Sequence, residues 1–354
     1  MPKPASVWNN LPVQKLLYII SGIIALLIAI GLALPQRVQV VASIEVDAPL
    51  ATVFALANDF HRASLWLPWI ETDPNVRIVY SGPDRGIGAT ITWDGVIVGT
   101  GTQIITASNP HEHIATTINP GEPGEAKSWF DFVDTGRSTY LDWTFEVDYG
   151  YNIVGRFAAL LLTDVIRRDY EHGLASLKDI AESLPRADFS DLEIERLAVE
   201  AKDIAYLSVA SPPDSASISE AMGRAYFRIL NFIDDHGLSS AGAPLSITRS
   251  ISGSNLLFDA AIPVQGVTDA TPRDDAGVKI GMTHAGTVIR AKHLGSYRSL
   301  GQTHQKVAAY LAALGIERDG VAWESYVSDP TKVPEAEILT YVYYPVVVGP
   351  SGPN

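Results

Sequence analysis

An uncharged apolar run near the N-terminus constrains the chain more than any other feature. Residues 16–34 read LLYIISGIIALLIAIGLAL, which is 19 residues without a charge. As an α-helix they would extend about 28 Å, close to the ~30 Å thickness of bilayer hydrocarbon. The run is longer than the ~7–15 residues of a signal-peptide core. We therefore predict a retained transmembrane anchor in residues 1–37, with cleavage after the small residues Gly31 and Ala33 as the alternative.

Charges and aromatic residues around this run predict its orientation. Lys3, Lys15 and the α-amino group precede it, whereas Arg37 alone follows it closely. Basic residues favour the cytoplasmic side, so we expect the N-terminus in the cytoplasm and the following domains outside. Trp8 and Tyr18 lie where interfacial aromatic residues are common. The expected location is the inner (cytoplasmic) membrane, crossed once.

The charge balance and the absence of cysteine exclude several classes of function. Lys and Arg number 26 against 40 Asp and Glu, a formal net charge of −14. Nucleic-acid phosphates need a basic surface, so no nucleic-acid partner is expected. A chain without cysteine has no disulfide, thiolate nucleophile or cysteine-based zinc site. His111 and His113 follow a turn and lack a third ligand, so neither a metal nor another cofactor is predicted.

Hydropathy patterns after the anchor predict strands and helices in a definite order. The stretches VQVVASIEV, ATITWDGVIVGTGTQII and STYLDWTFEVDY read as strands, rich in β-branched and aromatic residues. Between the first two, LATVFALANDF reads as a helix, and a long helical pattern covers residues 152–184. This mixture predicts the α+β fold class.

Composition predicts where the domains begin and end. Residues 38–185 form the first predicted domain, and the charged residues 186–199 form a linker. Residues 200–347 form the second predicted domain, and residues 348–354 a disordered tail. We expect each domain to fold independently of the other.

An internal repeat divides the second domain into two similar halves. Residues 218–238 align with residues 297–316 at a shift of 78, and each segment reads as an amphipathic helix closed by glycine. A strand ending in Pro-Val follows each helix, at residues 260–264 and 342–346. Two similar α/β halves predict a duplicated unit with pseudo-twofold symmetry, and the groove between them is a natural ligand site.

Several motifs of residues 38–184 resemble the START-like superfamily, also called SRPBCC, and its polyketide cyclase-like branch. They are SIEVDAP, TVFALANDF, the late strand LDWTFEV, the closing long helix and the W-L-P-W run from Trp66 to Trp69. The resemblance implies a helix-grip fold, in which a curved antiparallel sheet wraps a long helix and encloses an apolar cavity. Members bind lipids, polyketides, hormones and aromatic molecules, and a minority are enzymes. Trp66 and Trp69 are candidate ligand contacts, with core packing as the alternative.

Residues 200–347 resemble the GyrI-like effector-binding domain, which also occurs behind DNA-binding modules in AraC-type regulators. The motifs are FRILNFIDDHGL, AAIPV, KHLGSYRSLG and WESYVSDPTKVPEAEILTYVYYPV. In this family the glutamate of the W-E-x-Y-x-x-D-P run lies in the groove and meets cationic or polar ligand groups, and here it is Glu324. Some relatives use that carboxylate to hydrolyse small strained compounds. No helix-turn-helix precedes the domain in this sequence, which disfavours a DNA-binding sensor.

Four aromatic residues accompany Glu324 as candidate ligand contacts. Strand alternation puts Tyr326 on the face of Glu324, and Trp323 is its neighbour in the chain. Tyr297 follows a glycine near a predicted helix start, and Tyr206 lies in the first strand of the domain. A carboxylate flanked by aromatic rings suits a cation or an amine. Core packing for the tyrosines and solvent exposure for Glu324 are the alternatives.

These observations predict a non-enzymatic protein that binds a small hydrophobic or cationic molecule, or a lipid, in one or both domains. Two alternatives remain open. Glu324 could be the general base of a hydrolase, which requires a tuned carboxylate and a positioned water. The chain could also be an envelope interaction scaffold that binds no ligand.

Overall fold

The apolar run forms α1 (Val13–Ala33), the first helix of the chain. The structure is a computed structural model that describes residues 13–119, 126–253 and 255–347. Residues 15–33 are long and apolar enough to cross a membrane, and 6% of this stretch is buried. A core helix would be mostly buried, so this exposure agrees with a membrane span or a signal sequence. Lys3, Trp8 and the expected tail lie outside the described residues.

The first unit, Met1–Ser183, combines one antiparallel sheet with one long helix. Its strands are β1 (Arg37–Val46), β2 (Arg77–Ser81), β3 (Thr90–Gly95), β4 (Gly99–Asn109), β5 (His113–Asn119), β6 (Ala126–Asp134) and β7 (Thr139–Asp148). The helices after α1 are α2 (Leu50–Ala57), α3 (Phe60–Ala63), α4 (Pro68–Thr72) and α5 (Ile153–Ser183). The sheet order is β1-β7-β6-β5-β4-β3-β2, so successive hairpins build it and β1 closes it against β7.

Two of the predicted elements are divided in the structure. ATITWDGVIVGTGTQII becomes β3 and β4, and Gly99 begins β4 with a φ of +66°, a left-handed conformation that glycine adopts readily. LATVFALANDF ends at Ala57, and Asp59 starts the next short helix. The Asp59 side chain accepts hydrogen bonds from the backbone N–H groups of His61 and Arg62, which makes it the N-cap.

Aromatic rings form the core of the first unit between β6, β7 and the C-terminal half of α5. Trp143 of β7 stacks on Tyr170 of α5 with ring centroids 3.6 Å apart, and on Phe130 of β6 at 5.1 Å. The indole N–H of Trp143 donates to Ser128 Oγ over 2.8 Å, so its burial leaves no donor unpaired. These contacts attach the second half of α5 to the sheet.

The second unit, Leu184–Asn354, combines one larger antiparallel sheet of ten strands with two helices. Its strands are β8 (Ile194–Val199), β9 (Asp203–Ser211), β10 (Ser239–Ser240), β11 (Leu245–Ser252), β12 (Asn255–Gln265), β13 (Asp274–Asp275), β14 (Val278–Met282), β15 (Gly286–Leu294), β16 (Trp323–Tyr326) and β17 (Leu339–Pro345). Its helices are α6 (Ser215–Asp235) and α7 (Leu300–Leu314). The order is β13-β14-β9-β12-β11-β16-β17-β15-β8, and β10 pairs with β12.

The two helices of this unit end as the sequence predicts. Gly237 and Gly315 both have a φ of +64°, the left-handed conformation that closes a helix and that favours glycine. α6 starts earlier than its apolar pattern suggests, because the Asp214 side chain accepts a hydrogen bond from the backbone N–H of Ser217.

The predicted linker is shorter in the structure. Residues 194–199 belong to β8, which pairs antiparallel with β15. Glu195 lies opposite Arg290, and the two side chains form an ion pair. Glu195 and Arg196 are adjacent and lie between Ile194 and Leu197, so this strand lacks the regular alternation of apolar and charged residues.

Candidate ligand-binding site

The candidate site is built around Glu324 at the centre of the second sheet. β16 runs between β11 and β17, and Glu324 lies opposite Ser246 on one side and Val342 on the other. Its side chain points to the sheet face covered by α7, because the carboxylate contacts His304 of that helix. Only 16% of the Glu324 side chain is exposed. Pairing on both edges therefore fixes a largely buried carboxylate beneath a helix.

Both carboxylate oxygens of Glu324 have hydrogen-bond partners. Oε1 lies 2.8 Å from Nε2 of His304, and Oε2 accepts a hydrogen bond from the hydroxyl of Tyr326. The other ring nitrogen of His304, Nδ1, lies 2.7 Å from the hydroxyl of Tyr344. A neutral His304 protonated on Nε2 would donate to the carboxylate and accept from Tyr344. In that state every partner of Glu324 is neutral, and its negative charge is not cancelled.

The tyrosines around the carboxylate are neutral hydrogen-bond donors. Burial, and then the charge of Glu324, hold the pKa of Tyr326 well above its ordinary value. The same two causes raise the pKa of Tyr226, whose hydroxyl donates to the carbonyl oxygen of Leu245 over 2.9 Å. Both phenols therefore keep their protons at physiological pH.

Tyr297 lies at the outer edge of this cluster. It is in a 3₁₀ turn, Tyr297–Ser299, that begins where the Ser296 side chain accepts a hydrogen bond from the backbone N–H of Arg298. Its ring meets Tyr326 edge to face with centroids 5.3 Å apart, and 36% of the residue is exposed. The structure thus brings together Glu324, Tyr326 and Tyr297, three of the residues selected from the sequence.

Trp323 and Tyr206 lie on the other face of the sheet from Glu324. Trp323 precedes Glu324 in the same strand, so strand alternation points it away from the helices. It packs in a cluster with Leu245 and Ile247, and Tyr206 packs against the same cluster. Trp323 also stacks on Tyr343 with ring centroids 4.9 Å apart. Trp323 and Glu324 are adjacent in sequence, which suggested one site, but successive residues of a strand point to opposite faces of the sheet.

Sequence reasoning missed three residues of the cluster: Tyr226, His304 and Tyr344. One signal was present in the repeat, because the shift of 78 that aligns the two helices also aligns Tyr226 with His304. Another was helical spacing, since His304 follows Tyr297 by seven residues and two turns of helix bring such residues to one face.

The two tryptophans selected in the first unit have different environments. Trp66 is 3% exposed, and its ring meets Trp143 edge to face at 5.4 Å. Its indole N–H donates to the carbonyl oxygen of Leu56. Trp69 is partly exposed and lies against Trp93 with ring centroids 4.9 Å apart. Trp66 therefore belongs to the packed aromatic core, whereas Trp69 forms a separate pair with Trp93.

The histidine pair of the first unit does not form a cluster. His111 occupies the turn between β4 and β5 with a φ of +65°, and its ring lies against Phe54. His113 begins β5, and its Nδ1 lies 2.7 Å from a carboxylate oxygen of Asp131. Within the described residues, no three His, Asp or Glu side chains are grouped so as to hold a metal ion.

Two families match the chain in separate stretches. The family described as polyketide cyclase / dehydrase and lipid transport matches residues 37–182. The GyrI-like small molecule binding domain matches residues 199–347. No curated protein matches the chain.

Several solved structures are similar to part of the chain at low identity. The crystal structure of the EcmrR C-terminal domain is 16% identical, covers 44% of this chain and 98% of its own, and has a TM-score of 0.37. A hydrolase from Listeria innocua is 16% identical, covers 44% of this chain and 92% of its own, with a TM-score of 0.33. A protein of Chromobacterium violaceum is 15% identical, covers 42% of this chain and 98% of its own, with a TM-score of 0.32. Likenesses this distant say nothing about what the chain binds.

The family matches agree with the architecture of each unit. The first unit has the antiparallel sheet and long closing helix of the helix-grip fold, and the second carries the W-E-x-Y glutamate in its sheet. The chain therefore consists of a START-like (SRPBCC) domain of the polyketide cyclase-like branch followed by a GyrI-like small-molecule-binding domain.

Proposed function

We propose that the protein is a membrane-anchored binding protein whose second unit holds a small cationic molecule at Glu324. The observation that carries this proposal is a largely buried carboxylate with hydrogen bonds from a phenol and an imidazole. A buried charge is costly unless an opposite charge accompanies it. A ligand cation would provide that charge, and the faces of Tyr297 and Tyr326 would add cation–π attraction.

The same geometry favours binding over hydrolysis. A general base would have to take a proton from water, and both oxygens of Glu324 already have a hydrogen-bond partner in the protein. A carboxylate held in this way is suited to recognising a charge. The hydrolase alternative predicts turnover that Glu324→Gln abolishes, so one variant distinguishes the two functions.

The charge of Glu324 can be removed while its shape is kept. We expect Glu324→Gln to weaken the binding of benzyltrimethylammonium about thirtyfold, equivalent to ~2 kcal/mol, because a partly buried ion contact is lost. Binding of the uncharged isostere neopentylbenzene should stay the same or improve, because an unpaired buried carboxylate disfavours an apolar ligand. Equilibrium dialysis gives both dissociation constants.

Trp323→Phe is the matched control, since Trp323 is the next residue but lies on the opposite face. It should leave both affinities within about twofold of the wild type. A Glu324→Gln protein that binds the cation as tightly as the wild type would show that the carboxylate does not recognise charge.

We infer that the first unit binds a hydrophobic molecule or a lipid. The support is its family, which is described as including lipid transport. Trp69 is partly exposed and lies against the buried Trp93, so it is the tryptophan of this pair that a ligand could reach. Trp66 packs in the aromatic core with Trp143 and does not meet the ligand directly in this proposal.

We also propose that α1 crosses the cytoplasmic membrane and leaves both units outside the cytoplasm. The length and the exposure of α1 support the span. The orientation is supported by two basic residues before the helix, Lys3 and Lys15, against Arg37 after it. Alkaline phosphatase folds into an active enzyme only outside the cytoplasm, so a fusion after Asn354 should be active. An inactive phosphatase fusion together with an active cytoplasmic reporter fusion would reverse the orientation.

Finally, we propose that the second unit is duplicated about a pseudo-twofold axis between β11 and β16. The six central strands are β9-β12-β11 from the first half, followed by β16-β17-β15 from the second. If β9 corresponds to β15, β12 to β17 and β11 to β16, a twofold axis between β11 and β16 exchanges the halves. The shift of 78 aligns Ser246 with Glu324, and these two residues are direct partners in the sheet. Such an axis would put Glu324 where the halves meet and the groove is expected.

A further inference from the structure

α5 has two halves with different environments. From Tyr170 onward, its inward-facing side chains, such as Leu174 and Leu177, are buried. The first half, from Ile153 to Val165, is about 20 Å of helix and is predominantly apolar. Five of its large apolar residues are between 42% and 79% exposed: Val154, Leu160, Leu161, Leu162 and Val165.

These exposed residues form a continuous surface on the helix. Val154, Leu161 and Val165 are spaced by seven and four residues, which puts them on one face. Leu162 widens that face, and Leu160 lies towards the side that carries Ile153. A helix in contact with water ordinarily carries polar residues on such a surface, and an exposed apolar patch marks a contact site.

The first half of α5 packs against the end of α1. A Cβ atom added at Gly31 would lie 2.2 Å from Cγ2 of Ile153 and 2.9 Å from Cε2 of Phe157. The two helices are therefore in direct contact at a position where α1 has no side chain. This contact puts the exposed surface of α5 beside the point where the apolar helix ends.

Arg156 binds the end of α1 directly. The residue is 2% exposed, and its guanidinium donates to the carbonyl oxygens of Gly31, Leu32 and Leu34 at 3.0–3.2 Å. The last carbonyls of a helix have no partner within it, and in hydrocarbon each unpaired group is costly. Arg156 therefore supplies the hydrogen-bond donors that the last carbonyl groups of α1 require if this helix ends within or at the edge of the apolar layer.

We propose that residues 151–165 lie in the interfacial region of the same bilayer that α1 crosses, with lipid as their partner. This proposal rests on the proposed membrane span of α1. Tyr151, which is exposed, precedes the apolar surface, and the exposed Arg167 and Arg168 follow it and would meet lipid phosphates. The formal net charge of −14 disfavours general attraction to anionic lipid, so burial of the apolar side chains drives the contact.

The absence of native cysteine allows the proposal to be tested with single labels on the full-length protein. Leu161→Cys and Val154→Cys probe the first half of α5, and Leu26→Cys probes α1. Val133→Cys is the matched control, an exposed valine of β6 in the same unit. It lies near the hairpin that joins β6 to β7, about 25 Å along the strand from Ala126, whose partner Val147 is opposite Val38 at the start of β1. Each variant carries an NBD fluorophore and is reconstituted in phosphatidylcholine nanodiscs.

Quenching distinguishes lipid from water. We expect nitroxide on the lipid acyl chain to quench the labels at 161, 154 and 26 at least threefold more than the label at 133, which aqueous iodide should quench instead. If the labels at positions 161 and 154 behave like the label at 133 while the lipid nitroxide quenches the label at 26, the proposed interfacial contact of α5 is wrong. The proposed membrane span of α1 is then retained. If neither quencher reaches 161, protein covers the surface and the proposal is also wrong. If 26 is not quenched by lipid, the membrane span itself fails.

Discussion

At the level of single residues, His304 connects Glu324 to Tyr344. Its ring bridges the carboxylate and the hydroxyl of Tyr344 through its two nitrogens. Burial raises the pKa of Tyr226, Tyr326 and Tyr344, so these phenols are neutral at physiological pH.

Cation binding should therefore depend on the hydrogen bond from His304 to the carboxylate. His304→Gln keeps a hydrogen-bond donor beside Glu324, so we expect it to retain the affinity for benzyltrimethylammonium within about threefold. His304→Leu removes the donor and should weaken binding about tenfold, because the carboxylate is then held on one side only. Equilibrium dialysis measures both dissociation constants. Equal affinities for the wild type and His304→Leu would show that His304 does not position Glu324.

Among the secondary-structure elements, α5 packs closely against the rest of the first unit at Gly173. Gly173 is buried in this helix, and a Cβ added there would lie 3.0 Å from Trp143 and 3.0 Å from Pro68. Trp143 is stacked between two other rings and cannot move aside easily. The helix approaches the sheet closely at this point because the residue has no side chain.

Gly173→Ala should therefore destabilise the protein, although alanine is the better helix former. We expect the free energy of unfolding to fall by about 1–2 kcal/mol, since overpacking outweighs the gain in helix propensity of ~1 kcal/mol. Gly223→Ala in α6 is the control, because a Cβ there meets nothing within 4 Å. It should raise stability by about 0.5–1 kcal/mol. Denaturation followed by circular dichroism compares them, and stabilisation by Gly173→Ala would contradict the close packing.

The elements that the sequence predicts well are those whose signals are local. The two glycine-ended helices and the long helix that becomes α5 follow from periodicity over many residues. β8 lacks such a signal, because its two charged residues are adjacent and its pairing partner β15 is about 90 residues away. Tyr326 was assigned to the face of Glu324 by the period of two. His304 bonds to the carboxylate from α7, and Tyr226 of α6 lies close enough for the charge of Glu324 to raise its pKa. Contacts of that kind depend on how helices pack on the sheet, which no local pattern specifies.

At the scale of the whole molecule, the chain connects an apolar helix, a START-like domain and a GyrI-like domain. Arg156 and Gly31 connect α1 to the first domain through specific contacts, so the helix is an integral part of that unit. The candidate site of the GyrI-like domain consists of residues from α6, α7, β16 and β17. The proposed function therefore assigns the membrane contact to the first unit and cation recognition to the second.

Native mass spectrometry of the full-length protein, extracted from membranes, shows whether Glu324 recognises a cation. Mass spectra would be compared for the wild type, Glu324→Gln and Trp323→Phe after the same exposure to benzyltrimethylammonium. We expect a bound cation on the wild type and on Trp323→Phe, and at least about tenfold lower occupancy on Glu324→Gln. Equal occupancy on the wild type and Glu324→Gln would contradict the claim that this carboxylate recognises a cation.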